Sequence, residues 1–159
     1  MRPYSQTQII LHWVVTLLVA AQFVLNDAIG EAWNAFRKGA EMGFDPLVAA
    51  HVFGGIAILA LMTWRLVIRV RQGAVEPVAG TSPRMAQIMH LGHIAFYGAL
   101  VLASLSGMAT WFGEVEAAGD VHELLTTVIL ILVGGHVAAA LYHQFWLKDG
   151  LIRRMSLRE

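Results

Sequence analysis

Seven histidines, at positions 12, 51, 90, 93, 122, 136 and 143, are the only soft metal ligands in a chain of 159 residues that has no cysteine. The missing cysteine removes disulfides, iron–sulfur clusters, thiolate zinc sites, cysteine nucleophiles and covalent c-type haem, which needs C-x-x-C-H. Any one histidine taken alone reads as an interfacial or interhelical hydrogen bonder. Their spacing says more. His122 and His136 are 14 residues apart, about 320° of helical rotation, so on one helix they face nearly the same way, about 21 Å apart along the axis. Two such histidines can ligate two separate metal centres at different depths, each needing a second ligand from a neighbouring helix.

The elements that must position them are membrane helices. Hydrophobic residues make up 57% of the chain and charged residues 14%, against about a quarter charged in soluble domains. Mean hydropathy is +0.62. Four apolar stretches, 8–25, 47–70, 85–112 and 121–147, each supply the roughly 20 residues that cross about 30 Å of hydrocarbon. Backbone groups in lipid must be satisfied within their own segment, so these stretches are helices. The expectation is an all-α transmembrane four-helix bundle, one integral membrane domain over residues 1–159. The first stretch follows Arg2 and resembles a secretory signal, but it is too long and lacks a good cleavage site, so it is expected to be a retained span. The one turn-rich linker is 75–82, with Pro77 and Gly80.

Charge sets the orientation. Arg2, Arg65, Arg69, Arg71, Arg84, Lys148, Arg153, Arg154 and Arg158, nine of the eleven basic residues, share one side, and only Arg37 and Lys38 lie on the other. The positive-inside rule puts both termini in the cytoplasm. The outer side carries Asp27, Glu31, Glu41, Asp45, Glu114, Glu116, Asp120 and Glu123, and is net negative. The formal charge of the whole chain is zero, so no basic field points to nucleic acid.

Depth pairs the ligands. His51 opens the second helix on the outer side and matches His122. On the inner side His12, seven residues past the candidate N-cap Ser5, matches His136, seven residues before His143; both lie about 10 Å from that edge. His90 is at a similar depth and His93 is deeper, so depth alone leaves His12 and His90 open. A zinc or copper site wants three or four protein ligands. Two ligands per level, without cysteine or a carboxylate between the helices, suit bis-histidine haem, whose porphyrin supplies four nitrogens. Gly54, Gly55, Gly134 and Gly135 beside the ligands offer clearance for a flat macrocycle, or close helix packing. Arg65 and Arg69 return to the face of His51; Arg65 is read as a propionate partner and Arg69 as a snorkelling helix stop. The stripe Ala95, Ala99, Ala103, Gly107 reads as helix packing or a dimer contact.

These residues also form a recognisable pattern. Tyr4-Ser5, Gln8-Ile9, Leu11-His12-Trp13, then His51 with Gly54-Gly55, Met62, Arg65-Leu66 and Arg69 are followed by His90-Leu91-Gly92-His93. The tail adds His136, Ala138-Ala139-Ala140, His143, Phe145-Trp146 and Lys148-Asp149. The whole resembles the bacterial cytochrome b561 family, related to the cytochrome b subunits of nickel hydrogenase and formate dehydrogenase. The resemblance covers nearly the whole chain. It implies four helices in the bacterial inner membrane, two non-covalent b haems and electron exchange with the quinone pool. It also implies His12 with His136 for the inner haem iron and His51 with His122 for the outer. The connection from Phe112 to Asp120 departs from it, being shorter than in a well-known member.

The function expected is therefore transmembrane electron transfer by a di-haem cytochrome b, with superoxide or quinol as donor. His143, on the face of His136, and Gln8, one turn before His12, are the candidate quinone contacts at the inner end. Membrane lipid and a basic redox protein at the outer face are the other partners expected. Two other classes compete: a haem-bearing anchor subunit of a larger oxidoreductase, and a proton or metal-ion transporter using the histidine column. No hydrolase or nucleotide-binding motif is present.

Overall fold

The computed structural model describes residues 4–41, 43–73, 75, 77–78 and 80–156. Arg2 and Arg158, used above for orientation, and positions 76 and 79 of the linker lie outside the described residues. The described residues are all helical or irregular, without strands. In order they form α1 (Gln6–Val24), α2 (Asn26–Arg37), α3 (Pro46–Gln72), α4 (Pro83–Gly113) and α5 (Glu116–Tyr142). A π turn, His143–Leu147, and a 3-10 turn, Ile152–Met155, complete the chain. Four segments are long and apolar enough to cross a membrane: Gln6–Val24, Pro46–Gln72, Pro83–Gly113 and Glu116–Leu147.

Local sequence fixes where the spans begin. Ser5 and Gln8 form a reciprocal capping box: the Ser5 hydroxyl accepts from the Gln8 N–H, and the Gln8 side chain accepts from the Ser5 N–H. Asp45 caps α3 through the N–H groups of Leu47 and Val48, and Ser82 caps α4 through that of Met85. Proline follows each of these two caps at the first helical position, where its fixed φ suits the helix. Gly73, at φ 82°, ends α3. Glu114 takes the left-handed conformation at φ 56° and turns the chain from α4 into α5 with only Val115 between.

The fourth span therefore begins at Glu116, not at the Val121 expected from hydropathy. The acidic residues Glu116, Asp120 and Glu123 interrupt the apolar run but not the helix. α2 was not expected. It is an amphipathic helix outside the four spans, with Ile29, Trp33 and Phe36 at helical spacing and the Trp33 and Phe36 rings stacked. An ion pair, Arg37 Nε to Glu116 Oε1 at 3.3 Å, ties its end to the start of α5.

Side-chain packing is concentrated at one depth. Val15 of α1, Ile58 and Met62 of α3, Ala99, Leu100 and Ala103 of α4, and Ile129 of α5 form the core cluster. Ile129 lies seven residues from both His122 and His136, about 10 Å along the axis from each. The apolar plug thus separates two histidine levels. Close packing joins α4 to α5, α3 to α4, and α3 to α1 and α2. α5 has no comparable contact with α1 or α3 among the described residues, and Ile129 is its one buried residue.

Candidate functional site

Two pairs of imidazoles face each other across those open sides of α5. His12 of α1 and His136 of α5 have ring centres 6.2 Å apart, and His51 of α3 and His122 of α5 have theirs 6.3 Å apart. A metal–nitrogen bond of about 2.0 Å on either side, with each ring centre about 1.1 Å behind its nitrogen, gives about 6.2 Å. Both separations are those that two imidazoles would have if they shared one metal. Among the described residues no three His, Asp or Glu side chains are grouped to hold a metal ion by themselves. Were a metal held at such a pair, two protein nitrogens would leave its remaining coordination positions to a macrocycle.

Small residues leave room beside the rings. Ideal Cβ atoms built on Gly55, Gly134 and Gly135 would meet nothing within 4 Å, so the faces beside His51 and His136 are open. Gly54 is different: a Cβ there would overlap the Gln22 amide of α1, so helix–helix packing accounts for that glycine. Gly107 is different again. A Cβ on it would come within 3.0 Å of the His122 ring, and the His122 Nδ1–H donates to the Ala103 carbonyl at 2.8 Å. Ala103 and Gly107, two members of the α4 stripe, thus seat a histidine, while Ala99 and Ala103 also pack in the core. With Nδ1 occupied, His122 keeps its Nε2 lone pair for a metal.

At the other level the sequence left His12 and His90 open. His90 is exposed, and its Nδ1 pairs with Arg69 Nη2 at 3.2 Å, away from His136. His93 is the nearer rival, its ring centre 6.3 Å from that of His136 and its Nδ1–H bonded to the Met89 carbonyl at 2.6 Å. The difference between His12 and His93 is the gap. α4 packs directly on α5, whereas α1 does not, so the side of α5 toward His12 is the more open one. His93 and Phe96, whose ring centre is 5.6 Å from that of His136, are wall residues.

Arg65 lies at the His12 end of the bundle, donating from Nη1 to the Gln8 carbonyl at 3.4 Å. Any carboxylate it holds belongs to that level, about 21 Å along α3 from His51. Gln8 itself is committed through its side-chain oxygen to the capping box. His143, 5% exposed, bonds through Nδ1 to Asp149 Oδ2 at 2.5 Å, and Asp149 Oδ1 accepts from the Leu151 N–H at 3.0 Å. Desolvation pushes the Asp149 carboxyl up, but these hydrogen bonds outweigh it and hold the group below its ordinary value. The link is therefore intact at neutral pH and is lost only as acid protonates Asp149 below the usual carboxylate range. Asp149, Lys148 and Arg153 also line an open cleft at this end. The sequence pattern contained both His143 and Asp149, but nothing in their spacing paired them.

Comparison with known proteins identifies the architecture. The profile of Prokaryotic cytochrome b561 matches residues 3–156. The chain belongs to the prokaryotic cytochrome b561 family. Among curated relatives it is similar to cytochrome b562 of Cereibacter sphaeroides, 32% identical over 96% of this chain and 94% of that protein. It is also similar to a Yersinia pestis protein named "Probable superoxide oxidase CybB", 30% identical over 97% of this chain and 96% of that one. Cytochrome b561 homolog 1 of Escherichia coli is 28% identical over 99% of both chains. The protein is thus a multi-pass bacterial membrane cytochrome b of electron transfer, and its family implies haem b. The donor set fits that group: paired imidazoles at axial separation, open glycine faces, and a tethered Nδ1 on His122.

Gly107→Leu drives a branched side chain into the His122 ring. Haem bound through His122 should fall at least tenfold in affinity, the scale of lost ligand support. A pyridine haemochrome assay of the purified variant against wild type checks this, and an unchanged haem content would show that the ring has room to move.

Proposed function

We propose that this cytochrome carries electrons across the bacterial inner membrane between two haem b groups, one held by His12 and His136, the other by His51 and His122. The observation that carries the reading is the pair of facing imidazoles at 6.2 and 6.3 Å across the two open sides of α5. Haem supplies one-electron chemistry at each level, and the protein sets its potential through axial ligation, burial and nearby charge. The basic end of the bundle lies in the cytoplasm by the positive-inside rule, which makes the His12 level the inner one. Arg65 there pairs with a propionate.

Quinone exchanges electrons at this inner end. Two electrons and two protons convert a quinone to a quinol, so the site needs a group that can carry protons. His143 suits that role. Asp149 accepts its Nδ1–H and orients the ring, leaving Nε2 to meet a quinone carbonyl. Gln8 contributes from the opposite helix through its amide nitrogen. At the outer end the donor must give single electrons.

The similarity to a protein named as a superoxide oxidase makes superoxide one candidate, two superoxide ions leaving as dioxygen for each quinone reduced. The outer charge opposes it. Eight carboxylates face Arg37 and Lys38, a net charge of about −6, and Arg37 is already paired with Glu116. Such a face repels small anions and draws basic proteins. The reading therefore favours a basic redox protein or quinol over superoxide.

A reduced-minus-oxidised spectrum with haem counted per chain should give two low-spin b haems. His51→Ala or His122→Ala should each remove one of them, and His12→Ala or His136→Ala the other. One haem per chain, or loss of a haem in His90→Ala but not in His12→Ala, would overturn the assignment.

Stopped-flow reduction across a salt series separates the donors. Superoxide should reduce the haems slowly, and faster as ionic strength rises and screens the acidic face. Rapid reduction that slows with added salt would instead assign superoxide to the outer site.

A further inference from the structure

His51 and His122 differ in how they are held. The Nδ1–H of His122 has the Ala103 carbonyl, whereas His51 Nδ1 is buried without a hydrogen-bond partner. An imidazole that ligates through Nε2 carries its proton on Nδ1, and in a low-dielectric site that N–H needs an acceptor. One further buried side-chain atom among the described residues lacks a partner, and it is an acceptor: Gln22 Oε1.

Gln22 stands on α1 opposite this level of α3. Its amide fills the notch left by the missing side chain of Gly54, three residues and so about one turn along α3 from His51. The Gln22 backbone faces the His51 ring as well, but forms no hydrogen bond of normal geometry with it. The donor without an acceptor and the acceptor without a donor therefore meet at the same α1–α3 contact. An amide in a membrane span is costly unless it is satisfied, and nothing else at this contact takes up Gln22 Oε1.

We propose that Gln22 is a positioning residue for the haem held by His51 and His122, its Oε1 accepting the His51 Nδ1–H. Gly54 is small so that the amide can reach. The bond fixes the His51 tautomer and ring angle. It also makes the imidazole a stronger electron donor, which favours the oxidised iron and lowers that haem's potential. This inference rests on the proposed His51–His122 haem site.

The test is a redox titration of the purified, haem-loaded protein, with both haems resolved by electron paramagnetic resonance. Gln22→Leu removes the acceptor and should raise the potential of the His51–His122 haem, a tenfold change in its equilibrium being about 59 mV for one electron. Its resonance signal should shift as the ring angle relaxes, while the His12–His136 haem stays unchanged. Gln22→Glu keeps an acceptor and strengthens it, so it should lower the same potential and preserve a single ring orientation. Where Gln22→Leu does not accumulate, Gln22→Met, uncharged and close in size, takes its place: a raised potential of the His51–His122 haem supports the inference and an unchanged one overturns it. Unchanged potentials and signals in Gln22→Leu, or a shift confined to the other haem, also overturn it. Failure of the underlying reading looks different, because wild-type protein would then lack a haem that His51→Ala removes.

Discussion

Hydrocarbon offers no hydrogen bonds, so every imidazole in a membrane span must find its partner inside the protein. That constraint organises this bundle. His122 and His93 each give Nδ1–H to a backbone carbonyl, and His12 with His136, like His51 with His122, bring their rings to about 6 Å. The helices accommodate the pairs by withholding contact: α5 packs along α4 and leaves its sides toward α1 and α3 open. The main buried apolar cluster lies around Ile58, Met62, Ala103 and Ile129.

Sequence made the spans legible because crossing a bilayer demands length and apolarity together, and few other structures demand both. Depth also suggested pairing His51 with His122, since both lie near the starts of α3 and α5. At the other level depth left a choice. His12 and His90 lie at similar depths and His93 deeper, and what sets them apart in the structure is which helices touch, a tertiary property. His93 shows the limit best, because it comes as near to His136 as His12 does and is set aside only by the close packing of α4 on α5.

Other features were missed for identifiable reasons. α2 is too short and too polar for a search tuned to spans, although Ile29, Trp33 and Phe36 recur at helical period and would have revealed it. The stripe of small residues on α4 was read as packing, which holds for Ala99. Gly107 has a different role, and only the position of the His122 ring distinguishes the two. The same holds for Gly54 and Gly55. Adjacent in sequence and alike in type, one admits the Gln22 amide and the other faces open space. Glycine says that room is needed; it does not say for what.

The π turn at His143–Leu147 has a consequence for how this protein tolerates change in length. A π turn carries more residues per hydrogen-bonded ring than the α-helix before it, so the chain leaving it is out of phase with α5. Lys148 then reverses direction at φ 52°, and Asp149 folds back on to His143. Deleting one residue between Gln144 and Leu147 would let the helix run on regularly and swing everything after it by about 100°. Asp149 would keep its identity and lose its address. At this end of the molecule the count of residues carries information as surely as their chemistry, and a relative could preserve every side chain yet differ in function by a single gap.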